Sequence, residues 1–344
     1  MRIIDLEAHF YTQEYLDYMA TRTEYPRFEV ASDGSVKRFL AEGVWGPSSA
    51  ALMKKLLDLG EERIREMDKA NVDMQVLSFT LPGFEQFDNE TGQYWSKKTN
   101  DYLAEWVAKY PNRYLGLAAL APQNAEQAAR ELERCVKDLG FRGAKINSHC
   151  RSEYLDEEKF WPLFAKAEEL DVPIYLHPTA PSDALIKGFA KYGFPIAGPP
   201  LGFGIDCLLH SVRLIYSGLF DKFPKLKIVL GHLGEGLPFW LYRIDFYWLK
   251  PWTAPELKPK TLRKPSDYVR DNFVFTCSGM HYLPSFINAY MAVGADNLCF
   301  GADHPFESSQ ETLEGLGILP ICEQDKEKFF HGNAERLFKI PPKT

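Results

Sequence analysis

Residues 3–9 read Ile-Ile-Asp-Leu-Glu-Ala-His (IIDLEAH). A short apolar run that ends in Glu7 and His9 has the signature of a β-strand closed by polar residues. Three later runs end in the same way. PIYLHP (173–178) ends at His177, KIVLGHLGE (227–235) leads into His232 and Glu235, and LCFGADHP (298–305) leads into Asp303 and His304. In a β/α barrel the C-terminal ends of all strands converge on one face, where active sites lie. Carboxylate and imidazole are the groups that hold a catalytic divalent cation. The spacing therefore predicts a metal-dependent barrel enzyme.

Eight strand-like runs cover 3–9, 74–79, 114–120, 142–148, 173–178, 226–233, 272–279 and 297–305. Amphipathic helical patterns at 53–69, 95–109, 124–139, 156–170, 238–248, 283–293 and 323–337 separate most of them, with Asn124 and Asp156 read as N-caps. Strand–helix alternation favours a parallel sheet, and eight strands favour closure. No GxGxxG follows the first run, so a dinucleotide fold is not indicated. The expected fold is α/β, a distorted (β/α)8 TIM barrel forming one domain over residues 1–344. Two long segments, 10–52 and 179–204, leave the ends of strands one and five on the catalytic side and read as lids. A third, 250–264, follows a helix.

The chain has 344 residues, 45% of them hydrophobic, and a net charge of −7 without blocks of like charge. A nucleic-acid or anionic-membrane surface is not indicated. No run is long and apolar enough for a membrane span, and Asp5 and Glu7 interrupt the first apolar stretch, so no leader peptide is expected. The six cysteines show no Cys-x-x-Cys spacing and read as free thiols of a cytoplasmic protein.

Period-two geometry points Glu7 and His9 to the same side of their strand. Each ligand-type residue alone has an ordinary alternative: a hydrogen-bonded histidine, or an aspartate capping a turn. Their joint placement at the ends of strands one, five and eight carries the metal reading. His232 is either a further ligand or an acid/base group oriented by Glu235, and the second is preferred. Arg63, Arg243 and His304 are candidates for holding an anionic substrate, with Asn147 and His149 as further lining residues. Both arginines also read as surface ion-pair partners.

The stretches LLDLGEERIREMD, LGFRGAKINSH, YLDEEKFWPLF, IYLHP, FDKFPKLKIVLGHLGEGLPFWLYRID and ADHPFE resemble the non-oxidative hydroxybenzoate decarboxylases of the amidohydrolase superfamily across essentially the whole chain. The likeness is nearest to 5-carboxyvanillate decarboxylases, with γ-resorcylate and 2,3-dihydroxybenzoate decarboxylases as relatives. It implies Glu7, His177 and Asp303 as metal ligands, with His9 completing or supporting them. It implies Mn²⁺, with Zn²⁺ as the alternative, and no organic cofactor. It assigns His232 and Glu235 as the catalytic pair and Arg63 as a substrate contact. The chain departs from the wider superfamily in starting Glu-x-His rather than His-x-His. It places His304 before Pro305 where most of these relatives have Tyr or Trp. The segment 250–264 offers lysines beside Arg263 rather than a clear second substrate arginine.

Three functions follow. The first is decarboxylation of an ortho-hydroxy aromatic acid, giving CO₂ and a phenol, with Asp303 as proton donor. The second is metal-dependent hydrolysis of a lactone or ester, and the third a silent ligand-binding barrel. The expected partners are a small aromatic carboxylate and further copies of the chain, as a homodimer or homotetramer joined near Pro238–Trp252.

Overall fold

The computed structural model describes residues 1–341. Eight barrel strands are present: β1 (Ile4–Phe10), β2 (Met74–Phe79), β3 (Tyr114–Gly116, continued by Ala118–Ala119), β4 (Ala144–Asn147), β5 (Ile174–His177), β6 (Ile228–Leu230), β7 (Phe273–Thr276) and β8 (Leu298–Cys299). Each pairs in parallel with the next, from β1 through β8. The ring closes where the chain beyond β8 meets β1. Leu6 N donates to Phe300 O at 3.1 Å, His304 N to Glu7 O at 3.1 Å, and His9 N to His304 O at 2.7 Å.

The strands are buried because helices cover them outside and side chains fill them inside. Ile4, Leu6, Val76, Leu117, Val229 and Val274 form one apolar cluster with Tyr175. Between the pairs Asp5–Gln75 and Ala8–Leu77, β1 advances three residues while β2 advances two. This bulge falls beside Glu7, where re-aiming a side chain is a common use of an extra residue.

The expected barrel is present, and several boundaries shift. The helix read over 53–69 is two helices, Ala50–Leu57 and Glu61–Lys69. Asp58 breaks it, because its carboxylate accepts Gly60 N at 2.9 Å and Arg63 N at 2.8 Å and so caps the second helix. Asn124 is an N-cap as expected. Asp156 is not: the helix starts at Trp161, with Pro162 in its first turn, and Asp156 pairs with Arg213 instead. The helices Gly202–Tyr216 and Pro265–Asn272 add to those read from periodicity.

The segment 10–52 folds as a helix (Gln13–Thr21) and a three-stranded antiparallel sheet, Arg27–Val30, Val36–Ala41 and Val44–Ser48. The segment 179–204 forms two short helices, Asp183–Phe189 and Phe194–Ala197. The two insertions meet in a small core of Leu40, Val44, Leu81, Ala180, Ala197 and Phe203. Gly46 packs there against the end of the Phe194 ring: a Cβ on it would lie 2.6 Å from that ring and displace it. No helix among the described residues is long and apolar enough to cross a membrane. All six cysteines are free, and only Cys322 is exposed.

Candidate active site

The ends of β1 and β5 and the turn four residues beyond β8 bring Glu7, His9, His177 and Asp303 together. One ligand atom from each lies within 4.8 Å of the others. Glu7 Oε1 is 3.7 Å from His9 Nε2 and 3.5 Å from His177 Nε2, and His9 Nε2 is 3.0 Å from Asp303 Oδ1. The outer atoms of these groups are occupied. Glu7 Oε2 accepts the Tyr175 hydroxyl and, at 3.1 Å, the Thr276 hydroxyl. His9 Nδ1 meets Ser78 Oγ at 3.1 Å, and His177 Nδ1 meets Pro178 O at 2.8 Å and Asn147 Oδ1 at 3.2 Å. The inward atom Glu7 Oε1 is buried without a hydrogen-bond partner, and His9 Nε2 makes no well-aligned hydrogen bond, with only the Asp303 carboxylate close beside it. Buried polar atoms are rarely left so. Two carboxylates and two imidazoles converging on one point, with supported outer atoms, fit a divalent cation.

Beside the cluster, His232 lies on the loop after β6 rather than in the strand. His232, Leu233 and Glu235 have φ of 53°, 54° and 52°, with Gly234 and Gly236 between and after them also at positive φ. This left-handed path folds the side chains back, and His232 Nδ1 is 2.6 Å from Glu235 Oε1. Burial alone would depress the imidazole. Glu235, Glu7 and Asp303 outweigh it and push the His232 pKa up to about 10. Burial, reinforced by Lys145 and His9, holds His177 well below the usual histidine range, so it is neutral.

A cavity of about 410 Å³ opens over these groups. His177, His232, Glu235, Asp303 and Glu307 give it a polar floor, and Leu81, Phe194, Phe203, Leu208, Trp240 and Phe306 are among its apolar walls. That mixture, few polar groups in a mostly apolar concavity, suits a small aromatic ligand.

The three residues expected to hold an anionic substrate do not line this cavity. Arg63 is 2% exposed, and its guanidinium donates to the backbone carbonyls of Asp58, His9 and Lys55. It anchors the helix caps to the end of β1. Arg243 is exposed on the helix Leu237–Leu249 and stacks near Phe246. His304 is buried in the seam that closes the barrel, 3.6 Å from Glu66. His149 is structural as well: its ring meets Ala180 O and Ser152 N.

The basic residue that does reach the cavity is Arg38, from the insertion sheet. It is 5% exposed, its guanidinium is 5.4 Å from the Phe306 ring centre, and its Nε and Nη1 have no hydrogen-bond partner. A signal for it existed. Val36, Arg38 and Leu40 share the inward face of one strand, and a lone arginine in an apolar alternation needs a reason to be there.

γ-Resorcylate decarboxylase of Polaromonas sp. strain JS666 is 39% identical, with 98% of each chain covered. A crystal structure of the dihydroxybenzoic acid decarboxylase from Polaromonas sp. JS666, with bound manganese and the inhibitor 2-nitroresorcinol, has a TM-score of 0.85 at 37% identity, covering 99% of this chain and 98% of that one. The 5-carboxyvanillate decarboxylase of Sphingomonas paucimobilis has a TM-score of 0.88 at 37% identity, covering 99% of each. A family model described as amidohydrolase matches residues 4–340. The chain belongs to the amidohydrolase family.

Proposed function

We propose that the chain is a metal-dependent carboxy-lyase that converts an ortho-hydroxybenzoate to CO₂ and a phenol. Glu7, His9, His177 and Asp303 hold the cation, Mn²⁺ in the first instance and Zn²⁺ as the alternative. The observation that carries the reading is the position of Asp303. Its side chain is 17% exposed, against 4% or less for the other three ligands, and it faces the cavity beside His232. One carboxylate thus belongs to both the cation site and the substrate space.

A cation held by Glu7, His9, His177 and Asp303 would supply positive charge at the polar floor of the cavity and would acidify a phenol placed there. Arg38 neutralises the acid from the opposite insertion, and the apolar walls hold the ring and exclude water. Asp303 delivers a proton to the ring carbon that bears the carboxylate, while the phenolate oxygen donates the electrons that this requires. The carbon–carbon bond then breaks, its electron pair returns to the ring, and CO₂ leaves. His232, kept protonated by Glu235, restores the proton of Asp303 and is itself reprotonated from solvent. No oxidant or reductant enters.

Asp303→Asn tests the assignment. It keeps the fold and loses at least ~10²-fold in kcat; near-normal turnover in a folded variant would remove Asp303 from the role of donor.

The same reading includes self-association. Phe239, Tyr242, Tyr247 and Trp252, on or just after the helix Leu237–Leu249, are 50–79% exposed. An aromatic patch of this kind favours a homodimer or homotetramer. A monomer by light scattering at micromolar concentration contradicts that part.

A further inference from the structure

Glu85 sits on the loop that leaves β2, is 1% exposed, and has no part in the reaction just described. Every hydrogen bond it makes is to a donor. Oε2 accepts Phe84 N at 2.8 Å, Oε1 accepts Asn147 N at 2.6 Å, and Asn147 Nδ2 lies 3.2 and 3.3 Å from the two oxygens. The backbone closes over this pair: a Cβ on Gly83 would stand 2.1 Å from both Asn147 Nδ2 and Glu85 Oε2.

An ionised carboxylate only accepts, so the NH₂ of Asn147 must face Glu85 and its Oδ1 must face away. Oδ1 lies 3.2 Å from His177 Nδ1, and Pro178 O lies 2.8 Å from the same nitrogen. Both neighbours accept, so Nδ1 carries the ring hydrogen and Nε2 is bare. That bare nitrogen is the one 3.5 Å from Glu7 Oε1. An amide has two orientations. Turned over, Asn147 would set its NH₂ against an Nδ1 whose hydrogen already points to Pro178 O, and the ring would lose its second acceptor and be pushed from its place.

We propose that Glu85 is a positioning residue for the cation site: it holds the Asn147 amide with Oδ1 toward His177, so that Asn147 and Pro178 O together orient the ring with its bare Nε2 toward Glu7. The assignment rests on the reading of Glu7, His9, His177 and Asp303 as ligands, and adds a residue that none of the motifs contains. Burial pushes the Glu85 pKa up to about 7, against the hydrogen bonds from Asn147, so the test belongs at pH about 8, where the carboxylate is ionised.

The experiment measures Mn²⁺ affinity of the full chain by the paramagnetic resonance signal of free Mn²⁺, for the unsubstituted protein, Glu85→Gln, Asn147→Ala and the double variant. Each single change is expected to weaken binding by roughly 10–100-fold, the usual effect of losing an outer partner of a ligand. The double variant is expected to bind no worse than Asn147→Ala, because both act along one route. Unchanged affinity in Glu85→Gln, or losses that multiply, would overturn the proposal. Should the variants not fold, ring ¹⁵N spectra of His177 in the metal-free unsubstituted chain decide. Because Pro178 O alone would keep a hydrogen on Nδ1, the Asn147 amide is read beside it: NH₂ proton contacts to Gly83 support the proposal, and NH₂ contacts to the His177 ring, or a ring hydrogen on Nε2, overturn it. Failure of the unsubstituted chain to bind Mn²⁺, with hydrogen on Nδ1, would refute the cation reading and leave the orientation of His177 standing.

Discussion

His232 and Glu235 form an ion pair across a left-handed turn: Nδ1 and Oε1 are 2.6 Å apart, and both residues have φ near 50°. Non-glycine residues in that region store strain, and strain gathers where function fixes a side chain. The turn holds a charged imidazole against an apolar-walled cavity. Removing the charge that sustains it should therefore cost rate more than stability. Glu235→Gln is expected to lower kcat by roughly 10–100-fold and His232→Asn by roughly 10²–10⁴-fold. Steady-state kinetics beside thermal unfolding check this; equal losses in Tm and kcat would contradict it.

Chelation should abolish turnover and return the chain to lower stability. Buried groups whose inward atoms lack partners gain them when a cation binds, so Mn²⁺ at a hundredfold excess over Kd is expected to add about 2.7 kcal/mol to unfolding. Glu7→Gln should lose that increment. Calorimetry with and without Mn²⁺ is the check.

Arg38 is expected to act on the acid group of the substrate. Arg38→Met, close in volume but uncharged, should raise KM or lower kcat/KM by roughly 10–100-fold, in line with about 1.5–3 kcal/mol for a charge-assisted hydrogen bond. Arg38→Lys should recover part of the loss. Mn²⁺ affinity should not change in either variant, which separates a substrate contact from general damage.

The sheet that carries Arg38 is held by the contact of Gly46 with the Phe194 ring. Gly46→Val forces that ring away and is expected to weaken substrate binding about as much as Arg38→Met does, with the barrel intact. Matching kinetics of the two variants and of their double would place both on one path.

Stability should fall on acidification through a histidine far from the cation. His210 is buried and accepts Leu155 N at 3.0 Å. Burial, with His149 and Arg213 nearby, holds its pKa down to about 3. An unfolded histidine titrates near ~6.5, so between these values the unfolded chain takes up a proton and the folded chain does not. Stability is therefore full above about pH 6.5 and falls as pH drops towards 3, by up to ~1.4 kcal/mol per unit. Glu85 and Asp5, pushed up by burial to about 7 and about 6, act in the opposite direction over this range, so the check is the difference in urea midpoints between the unsubstituted chain and His210→Gln: the variant should gain relative to the unsubstituted chain on going from pH about 7 to about 5, and an unchanged difference would contradict the assignment.

The barrel and the cluster of Glu7, His9, His177 and Asp303 were legible because each barrel strand is a short apolar run whose last residues, and the turn that follows, are forced to one face. The lining of the cavity was not legible in the same way. Arg63 and Arg243 sit in motifs that look functional. Folding uses the first to hold carbonyls at the end of β1 and leaves the second exposed outside the cavity. Arg38 lies in an insertion whose antiparallel pairing cannot be deduced from a barrel pattern, and its meaning depends on where that sheet docks. Glu85 was invisible for a related reason: its partner Asn147 lies 62 residues later. The break at Asp58 is local chemistry, since an aspartate that caps the next helix outweighs an apolar stripe that runs through it.

The most direct test loads the full chain with Mn²⁺, offers it γ-resorcylate, 2,3-dihydroxybenzoate and 5-carboxyvanillate, and detects CO₂ while following ring absorbance. The account predicts CO₂ release in step with phenol formation from at least one acid, abolished by chelation and by Asp303→Asn. A folded, Mn²⁺-loaded chain that releases no CO₂ from any ortho-hydroxybenzoate would contradict it.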